Sequence, residues 1–460
     1  MKKWIRLTFV GVVLMLYTLP ASAQEGEEAR YQVQPGDSLS AIAARFGISV
    51  ESLVQANDLV DPDQLDAGME LVLPGLDWID GLIVDVEMPF GEDLSSLSRK
   101  YGMDEEALSR LNRISSPQQL FIGRSILLAT GRGEQLSSAR KVMTSGQSLM
   151  EMALLTGRNP WEAALQNRLT GTSNALPGDV MLIPGAEQEG AGRLPSPLGA
   201  VKIGTGGIMQ GKATAITLGT ANQDISASIS ILDTDFQFFP YGDDALAAIA
   251  GVHVMAEPGL YDVELRVVLT DGSIYRFEQL ARVRSGGYGF ETVTVDPELL
   301  DEETSEKETA QIAEIVSGFT PEKMWTGFFL SPSPFENNIN SAFGTRRSFN
   351  GSGFEYFHAG VDFGGGLGVQ IFAPAAGRVV FAGSLEIRGN ATIIDHGWGV
   401  YSGYFHQSEM QVEVGDIVET GQVIGIVGNT GRSSGAHLHW EMWVGGIQVD
   451  ALEWLSRLFP

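Results

Sequence analysis

The histidines of this chain are few, and most of them lie close together in sequence near the C-terminus. Five of the six fall within the last hundred or so residues, and four of those group with one aspartate: His358, Asp362, His406, His437 and His439. Histidine is the commonest metal ligand in proteins and the side chain that titrates nearest neutrality. This grouping predicts a metal-centred active site in the C-terminal part of the chain.

The residues around these histidines predict extended backbone. Gly360 and the glycines at 364–366 disfavour a helix around His358 and Asp362, and residues i and i+4 of an extended chain share a face. The segment 437–443 alternates in polarity, as a half-buried strand does. Its two predicted faces are His437, His439 and Glu441 on one side, and Leu438, Trp440 and Met442 on the other.

A His-x-His pair by itself is weak support for a metal site, because one of its members could be a buried histidine that only packs within a strand. The upstream pair and His406 are what favour the metal interpretation. The remaining two histidines are expected to be structural. His396 lies in an Asp-His-Gly sequence beside a strand end, and His253 lies alone in the middle of the chain.

The length of the chain and its N-terminus indicate an exported protein of several domains. At 460 residues, it is too long for a single hydrophobic core. Residues 1–23 predict a signal peptide, with three basic residues, an apolar run over 7–19 and an Ala21-Ser-Ala23 cleavage site. A retained N-terminal anchor is the alternative. No later segment is expected to span a membrane, so we expect a secreted protein of the cell envelope, periplasm or extracellular space.

Composition argues against a nucleic-acid-binding protein and against a protein stabilised by disulfides. The formal net charge is −27, and it becomes −30 once the three basic residues of the signal peptide are removed. Nucleic-acid binding is not expected, since it requires neutralisation of phosphates by Lys and Arg. The chain has no cysteine, so it has no disulfide framework, and any zinc must be held by histidine and carboxylate side chains.

The N-terminal two hundred residues repeat with a period of 55 residues. Four sets of small or turn-forming residues share this register: Gly36, Gly91 and Gly146; Gly47, Gly102 and Gly157; Asn57, Asn112 and Asn167; and Gly68, Gly123 and Gly178. Within the first copy, helices are predicted near 39–46 and 49–57, between strands at 31–33 and 69–73. We therefore predict three β-α-α-β modules, at 31–75, 85–130 and 140–185.

The first copy resembles the LysM module, on the motifs Tyr31-Gln-Val-Gln-Pro-Gly-Asp-Ser-Leu39 and Gly68-Met-Glu-Leu-Val-Leu-Pro74. That resemblance implies binding of N-acetylglucosamine-containing glycans in a shallow groove between two loops. The implied groove residues are Gly36, Asp37, Ser38 and Leu39 on one loop, and Leu65, Asp66 and Ala67 on the other. The second and third copies depart from the pattern, and the alternative is that they are spacers that keep only the fold.

The middle of the chain changes to short alternating apolar and polar runs separated by turn signals. This pattern predicts a small β-sandwich over 197–297, with a role in spacing or docking. A helical connector is expected over 300–322, where Ile312, Ile315 and Val316 form a narrow apolar stripe. The alternative for this helix is an autoinhibitory role.

The C-terminal region, 325–457, is rich in glycine and in short β-type runs, which predict an antiparallel sheet. It resembles the lysostaphin/LytM-type zinc metallopeptidases on several motifs: Ser341-Ala-Phe-Gly-Thr-Arg346, His358-Ala-Gly-Val-Asp362, Tyr404-Phe-His406 and Gly431-Arg-Ser-Ser-Gly-Ala-His-Leu-His439. The resemblance covers nearly the whole domain. The expected fold class is thus a multidomain α+β and all-β protein that ends in an antiparallel metallopeptidase sheet.

The resemblance implies a role for each histidine of the cluster. Zinc would be held by His358, Asp362 and His439, and His406 and His437 would be the catalytic histidines, with the identity of the general base left open. Gln407, Ala436 and Ala451 depart from the usual family sequence and are expected to alter only the groove wall.

The implied function is a secreted zinc endopeptidase that cuts peptide bonds of peptidoglycan and reaches the wall through its LysM modules. The alternative is a non-catalytic wall-binding protein that regulates other peptidoglycan hydrolases, as relatives that lost these site residues do. Intact metal and catalytic positions favour the enzyme. The bond that is cut cannot be read from the sequence.

Overall fold

The computed structural model describes residues 28–61, 65–130, 138–184, 190–204, 206–220, 222–294 and 302–460. The predicted signal peptide, 1–23, lies outside the described residues. The chain divides into two compact units, Met1–Ile83 and Val84–Pro460. In the described part of the chain, no helix has the length and apolar character needed to cross a membrane.

The first unit contains the predicted β-α-α-β module. Its elements are β1 (Arg30–Gln32), α1 (Leu39–Phe46), α2 (Val50–Ala56), β2 (Glu70–Val72) and the start of β3 (Leu82–Glu87). Strand β1 pairs antiparallel with β2 and parallel with Leu82 and Ile83 of β3. Both helices begin where the side chain of a serine, Ser38 or Ser49, accepts a hydrogen bond from the first turn.

The second unit begins with two further copies of this arrangement. The second copy consists of β3, α3 (Leu94–Tyr101), α4 (Glu105–Leu111), a 3₁₀ turn (Pro117–Gln119) and β4 (Ser125–Thr130). The third consists of β5 (Ser138–Val142), α5 (Leu149–Leu155), α6 (Pro160–Gln166) and β6 (Val180–Pro184), with β5 antiparallel to β6. The helix N-caps also follow the 55-residue register: Ser38, Asp93 and Ser148 for the first helices, and Ser49, Asp104 and Asn159 for the second.

One asparagine in each copy connects the second helix to the last strand. The amide of Asn57 donates to the carbonyls of Leu53 and Val72 at 2.8 and 2.9 Å, and its oxygen accepts from the Val72 N–H at 2.7 Å. Asn112 and Asn167 make the same three bonds in their own copies. The repeated asparagine therefore connects backbone groups of the second helix with those of the last strand in each copy.

The middle of the chain forms two sheets. Its strands are β7 (Leu198–Ile203), β8 (Ile208–Met209), β9 (Ala213–Thr220), β10 (Ser226–Ile231), β11 (Thr234–Gln237), β12 (Phe239–Tyr241), β13 (Ala245–Gly251), β14 (Gly259–Val268) and β15 (Ile274–Arg284). One sheet has the order β11-β10-β14-β15-β8 and the other β12-β13-β9-β7. Buried residues from both sheets, such as Ile229 and Leu218, share one apolar core.

Two elements lie between this region and the C-terminal domain. Strand β16 (Phe290–Val293) pairs parallel with a strand of the C-terminal domain, in the register Phe290↔Arg346 to Val293↔Phe349. Helix α7 (Glu302–Ile315) buries Ile312, together with Val316 just after its end, against residues that include Phe405. The predicted connector is therefore packed on the C-terminal domain along its apolar stripe.

The C-terminal domain is built on a ten-stranded sheet. The twelve strands of the domain, ten of them in this sheet, are β17 (Ile339–Ser341), β18 (Arg346–Phe349), β19 (Tyr356–Phe357), β20 (Val361–Phe363), β21 (Gln370–Phe372), β22 (Gly377–Leu385), β23 (Gly389–Gly397), β24 (Val400–Met410), β25 (Ile417–Val418), β26 (Val423–Val427), β27 (Leu438–Val444) and β28 (Ile447–Val449), followed by a 3₁₀ helix (Ala451–Leu455). The main path of the sheet is β17-β20-β27-β24-β23-β22-β25. Its ladders are antiparallel, as predicted, while β18 and β19 join β16 in a separate small sheet.

Strand register brings the clustered residues into one place. In the sheet, β27 lies between β20 and β24, with Asp362 opposite His439 on one side and Phe405 opposite His439 on the other. His406 follows Phe405 directly. The predicted alternation of β27 is observed, with Leu438, Trp440 and Met442 buried in the core. Three distant parts of the chain therefore meet beside His439.

Candidate metal centre

Three side chains converge with their ligand atoms on a single point. The Nε2 of His358 lies 3.1 Å from Oδ1 of Asp362 and 3.2 Å from Nδ1 of His439. The Nδ1 of His439 lies 2.6 Å from the same carboxylate oxygen. Within the described residues, this trio is the cluster of histidine and acidic side chains whose geometry could hold a metal ion.

Gly360 allows the segment that carries His358 and Asp362 to approach β27, the strand that carries His439. His358 follows β19 and Asp362 lies within β20, so a bend at Gly360 interrupts the extended chain that was expected between them, while the two side chains meet as expected. A Cβ on Gly360 would lie 2.4 Å from the Trp440 carbonyl oxygen and 2.9 Å from the His439 ring. Any larger residue would push the ligand strand away from β27.

The outer nitrogens of both ligand histidines have acceptors. The Nδ1 of His358 lies 3.0 Å from the Ala342 carbonyl oxygen and 3.1 Å from the Ser341 hydroxyl. The Nε2 of His439 lies 3.1 Å from Oε1 of Glu441. A ring that donates its proton outward in this way presents the other nitrogen unprotonated to a metal. A cation at the centre of the trio would replace the protons that the inward nitrogens otherwise share with Asp362, while the outward protons would stay on these acceptors.

Buried charges tune the trio further. Burial would raise the pKa of Asp362, but hydrogen bonds from His358 and His439 outweigh burial and hold that pKa well below its ordinary value. Burial would lower the pKa of His439, but hydrogen bonds to Asp362 and Glu441 outweigh it and raise the pKa to about 9. Burial lowers the pKa of His358. The excess of negative charge around His439 favours a cation between its Nδ1 and Asp362.

The two remaining histidines of the cluster lie beside the trio. The Nε2 of His437 is 3.6 Å from Oδ1 of Asp362, and the His406 and His437 rings have centroids 4.9 Å apart. The Nδ1 atoms of His406 and His437 each lie 2.8 Å from a backbone carbonyl oxygen, that of Thr430 and of Gly435 respectively. Both rings therefore hold one nitrogen outward and leave Nε2 available for proton transfer.

His406 has two further properties that set it apart. Its φ of 59° lies in the left-handed region, which is costly for a residue with a side chain and persists where the surroundings enforce it. Burial also lowers its pKa to about 4, against the opposing hydrogen bond to Thr430. The imidazole is therefore neutral near pH 7 and able to accept a proton.

The other two histidines lie outside the cluster, as expected of structural residues. His396 is buried, with Nδ1 2.8 Å from the Ala376 carbonyl oxygen and Nε2 2.7 Å from the Ser402 hydroxyl. The ring of His253 packs edge-on against Phe357.

Gln407 corrects one expectation. It was expected on the groove wall, but its side chain is buried and donates to the Thr392 hydroxyl at 3.0 Å and the Tyr404 carbonyl at 2.9 Å. Because its neighbour His406 has a left-handed backbone, the usual alternation of faces along β24 does not hold at this point. The departure from the family sequence at Gln407 therefore affects the interior of the domain.

Six of the seven predicted glycan residues lie on two loops at the same end of the first module, and the seventh, Leu39, is the first residue of α1. The Gly68 N–H donates to the Val33 carbonyl at 2.7 Å, and this bond brings 34–38 and 65–68 side by side. Several of these residues also have structural roles: Gly36 has a positive φ of 89°, Ser38 caps α1, Leu39 is buried, and the Asp37 carboxylate accepts from the Tyr31 hydroxyl and the Gln34 N–H at 2.8 Å each. Leu65, Asp66 and Ala67 are partly or fully exposed.

The sequence did not predict three charged residues that support the metal centre: Glu308, Arg388 and Glu441 form a buried chain that ends on His439. Of the three, only Glu441 could have been connected to the site from the sequence, because it lies two residues after His439 on the same strand face. Glu308 and Arg388 are far from the histidines in sequence, so no spacing could connect them to the site.

Comparison with known proteins agrees with this arrangement. Residues 356–451 match the model of peptidase family M23, and residues 31–74 and 90–129 match that of the LysM domain. The chain thus contains a peptidase M23 domain preceded by LysM domains.

Similarity to individual proteins covers about a fifth to a quarter of the chain. The chain is 38% identical over 96 residues to the peptidoglycan DD-endopeptidase ShyA of Vibrio cholerae, a match that covers 21% of this chain and 22% of ShyA. It is 41% identical over 93 residues to the DD-carboxypeptidase/endopeptidase Mpg of Neisseria meningitidis (20% and 21%). It is also 37% identical over 125 residues to the murein hydrolase activator NlpD of Escherichia coli (27% and 31%). Each match thus spans less than a third of the relative.

Proposed function

We propose that this protein is a zinc-dependent endopeptidase that hydrolyses peptide bonds in the stems or cross-links of peptidoglycan. The observation that carries the proposal is the convergence of His358 Nε2, Asp362 Oδ1 and His439 Nδ1 beside two further histidines. Of the similar proteins, ShyA is named a peptidoglycan DD-endopeptidase and Mpg a DD-carboxypeptidase/endopeptidase. Secretion follows from the predicted signal peptide, and we place the protein in the cell envelope.

The donor set favours zinc and a catalytic role for it. Two imidazoles and one carboxylate can be the ligands of a catalytic zinc site, which keeps a fourth position open. Binding of the ion would release the proton that the raised pKa keeps on His439. When bound, the ion would polarise the scissile carbonyl and lower the pKa of a coordinated water. His358, Asp362 and His439 would hold it through the atoms that already converge.

His406 and His437 would carry the protons. The neutral His406 ring, anchored on Thr430, can accept a proton through Nε2, and His437 is anchored on Gly435 with its Nε2 directed toward the trio. One of the two would take the proton of the attacking water. The other would stabilise the oxyanion or protonate the leaving amine.

The LysM modules would hold the protein at the cell wall. Binding of N-acetylglucosamine-containing glycans by the loops at 34–39 and 65–67 would keep the peptidase domain close to wall peptides. Several weak modules on one chain raise the effective concentration without any new contact. We extend the module to 140–185, because Asn167 makes the same three bonds as its counterparts. The two-sheet region at 197–297 would act as a sandwich-like spacer.

The test is digestion of isolated cell walls by the wild type and by His437→Ala. We expect the wild type to release new amino groups and His437→Ala to release at most about a hundredth as many, as for loss of a general acid or base. Equal release by both proteins would end the enzyme proposal. Mass spectrometry of the released fragments would identify the bond that is cut.

A second candidate is a non-catalytic regulator of other wall hydrolases. The observation that favours it is the similarity to NlpD, a murein hydrolase activator. The five intact site residues oppose it. A regulator would release no amino groups alone, and it would increase the release by an added amidase equally well as wild type and as His437→Ala.

A further inference from the structure

A chain of buried charges connects helix α7 to the metal centre. The Glu308 carboxylate accepts from Nη1 of Arg388 at 3.1 Å, and Nε of Arg388 donates to Oε1 of Glu441 at 2.8 Å. The same Oε1 lies 3.1 Å from Nε2 of His439. Three consecutive contacts thus separate a helix outside the sheet from a candidate metal ligand.

The three charged residues Glu308, Arg388 and Glu441 are buried, so each depends on its partners for stabilisation of its charge. The exposed fractions of the side chains are 4% for Glu308, 16% for Arg388 and 0% for Glu441. A buried charge that loses its partner is strongly destabilised. Removal of Glu308 would therefore leave Arg388 with one carboxylate in place of two and free its side chain to turn away from Glu441.

Glu308 also holds the turn between β22 and β23. Its Oε2 accepts the Ile387 N–H at 2.7 Å and its Oε1 the Arg388 N–H at 3.1 Å. The carbonyl oxygen of Arg388 in turn accepts the N–H of His406 at 2.9 Å. The turn fixed by Glu308 therefore supports the strained backbone of His406 as well as the side chain that reaches Glu441.

We propose that Glu308 is a positioning residue for the metal centre. It holds Arg388, Arg388 holds Glu441, and Glu441 fixes the His439 ring so that Nδ1 points at the metal. This inference rests on the zinc site proposed above. Glu308 lies upstream of residues 356–451, the part of the chain that matches the peptidase family, so the functional metal centre extends beyond the matched domain.

The test measures zinc affinity of the full chain by competition with a chelating dye, without any substrate. We expect Glu308→Ala to weaken zinc binding roughly 10- to 100-fold, the usual effect of losing an outer partner of a ligand histidine. The matched control is Glu314→Ala, on the exposed part of the same helix, with wild-type affinity. Glu308→Gln, which keeps one acceptor oxygen for one of the two backbone N–H groups, provides a measurable variant if Glu308→Ala does not fold.

A double-mutant cycle separates positioning from a general loss of packing. Glu441→Gln should also weaken zinc binding. Because Glu308 and Glu441 act through the same series of contacts, the loss of zinc affinity in the double variant should be smaller than the product of the two separate losses. Wild-type affinity in Glu308→Ala and Glu308→Gln, or fully multiplicative losses in the double variant, would overturn the inference. A wild type that binds no zinc would instead refute the proposed function.

Discussion

At the scale of single residues, the candidate site divides into atoms that face the point where the three side chains converge and atoms that face away. His358 uses Nε2 inward and Nδ1 outward, whereas His439 uses Nδ1 inward and Nε2 outward. Each outward nitrogen has its own acceptor, so neither ring can rotate without losing a hydrogen bond. The inward geometry is therefore set before any ion arrives, which lowers the entropic cost of binding it.

This division predicts different defects in two alanine variants. His358→Ala removes a ligand and should lose bound zinc, with affinity reduced by at least about 100-fold. His406→Ala removes a ring that touches none of the three ligand atoms within hydrogen-bond distance in the described structure, so it should keep zinc and lose about 100-fold or more in activity. Metal analysis of the purified proteins, together with the wall-digestion assay, measures both.

The two variants control for each other. Normal zinc content in His358→Ala would refute the ligand assignment, and loss of zinc from His406→Ala would show that this ring belongs to the metal shell. His396→Gln would be a poor control, because His396 is buried and bonded on both ring nitrogens.

At the scale of elements, the repeated asparagine explains why the 55-residue register extends to polar residues. Asn167 is buried and is the only side-chain partner recorded for the Leu182 N–H among the described residues. An unsatisfied buried polar group costs about 1–3 kcal/mol. The asparagine thus secures the joint between the second helix and the last strand of each copy.

We predict that Asn167→Ala loosens this joint in the third copy. The opening free energy of β6 should fall by about 2 kcal/mol, which accelerates exchange of the Leu182 amide hydrogen roughly tenfold or more. Hydrogen exchange followed by mass spectrometry checks this locally, without assuming that the whole chain unfolds in one step. Asn174→Ala, at an exposed loop position, should leave exchange unchanged, and unchanged exchange in Asn167→Ala would contradict the prediction.

Local patterns predicted the elements better than they predicted the contacts between them. The helices of the first module and the alternation of β27 follow from caps, turn glycines and polarity, all read within a few residues. The five site residues were predicted together because resemblance added long-range information. Glu308 and Arg388 could not be predicted, since they are 80 residues apart and meet only when α7 packs on the sheet. The placement of Gln407 failed because the left-handed backbone of His406 was not foreseen.

At the scale of the whole molecule, the proposed functions of attachment and hydrolysis belong to different parts of the chain. The first unit, Met1–Ile83, is compact by itself and contains a complete LysM match at 31–74. The metal centre lies in the second unit. Attachment and hydrolysis should therefore be separable by deletion.

We predict that deletion of 28–75 reduces retention on chitin or isolated walls several-fold and leaves zinc content unchanged. The physical reason is loss of one binding module from a multivalent chain, with the metal centre untouched. Co-sedimentation with the insoluble polymer, beside the full-length protein, measures retention. Full retention of the deleted protein would assign glycan binding to another part of the chain.

The parallel ladder between β16 and β18 bears on how such proteins can be recombined. Residues 290–293 are in register with 346–349, and α7 supplies Glu308 to the turn at Ile387 and Arg388. A chimera that received a foreign peptidase domain with its junction at 325 would retain β16 and α7 from this chain but lose the surfaces that they match. Exchange of the peptidase domain between such proteins would therefore succeed best with a junction before residue 286. The strand β16, the helix α7 and the C-terminal sheet are then transferred together.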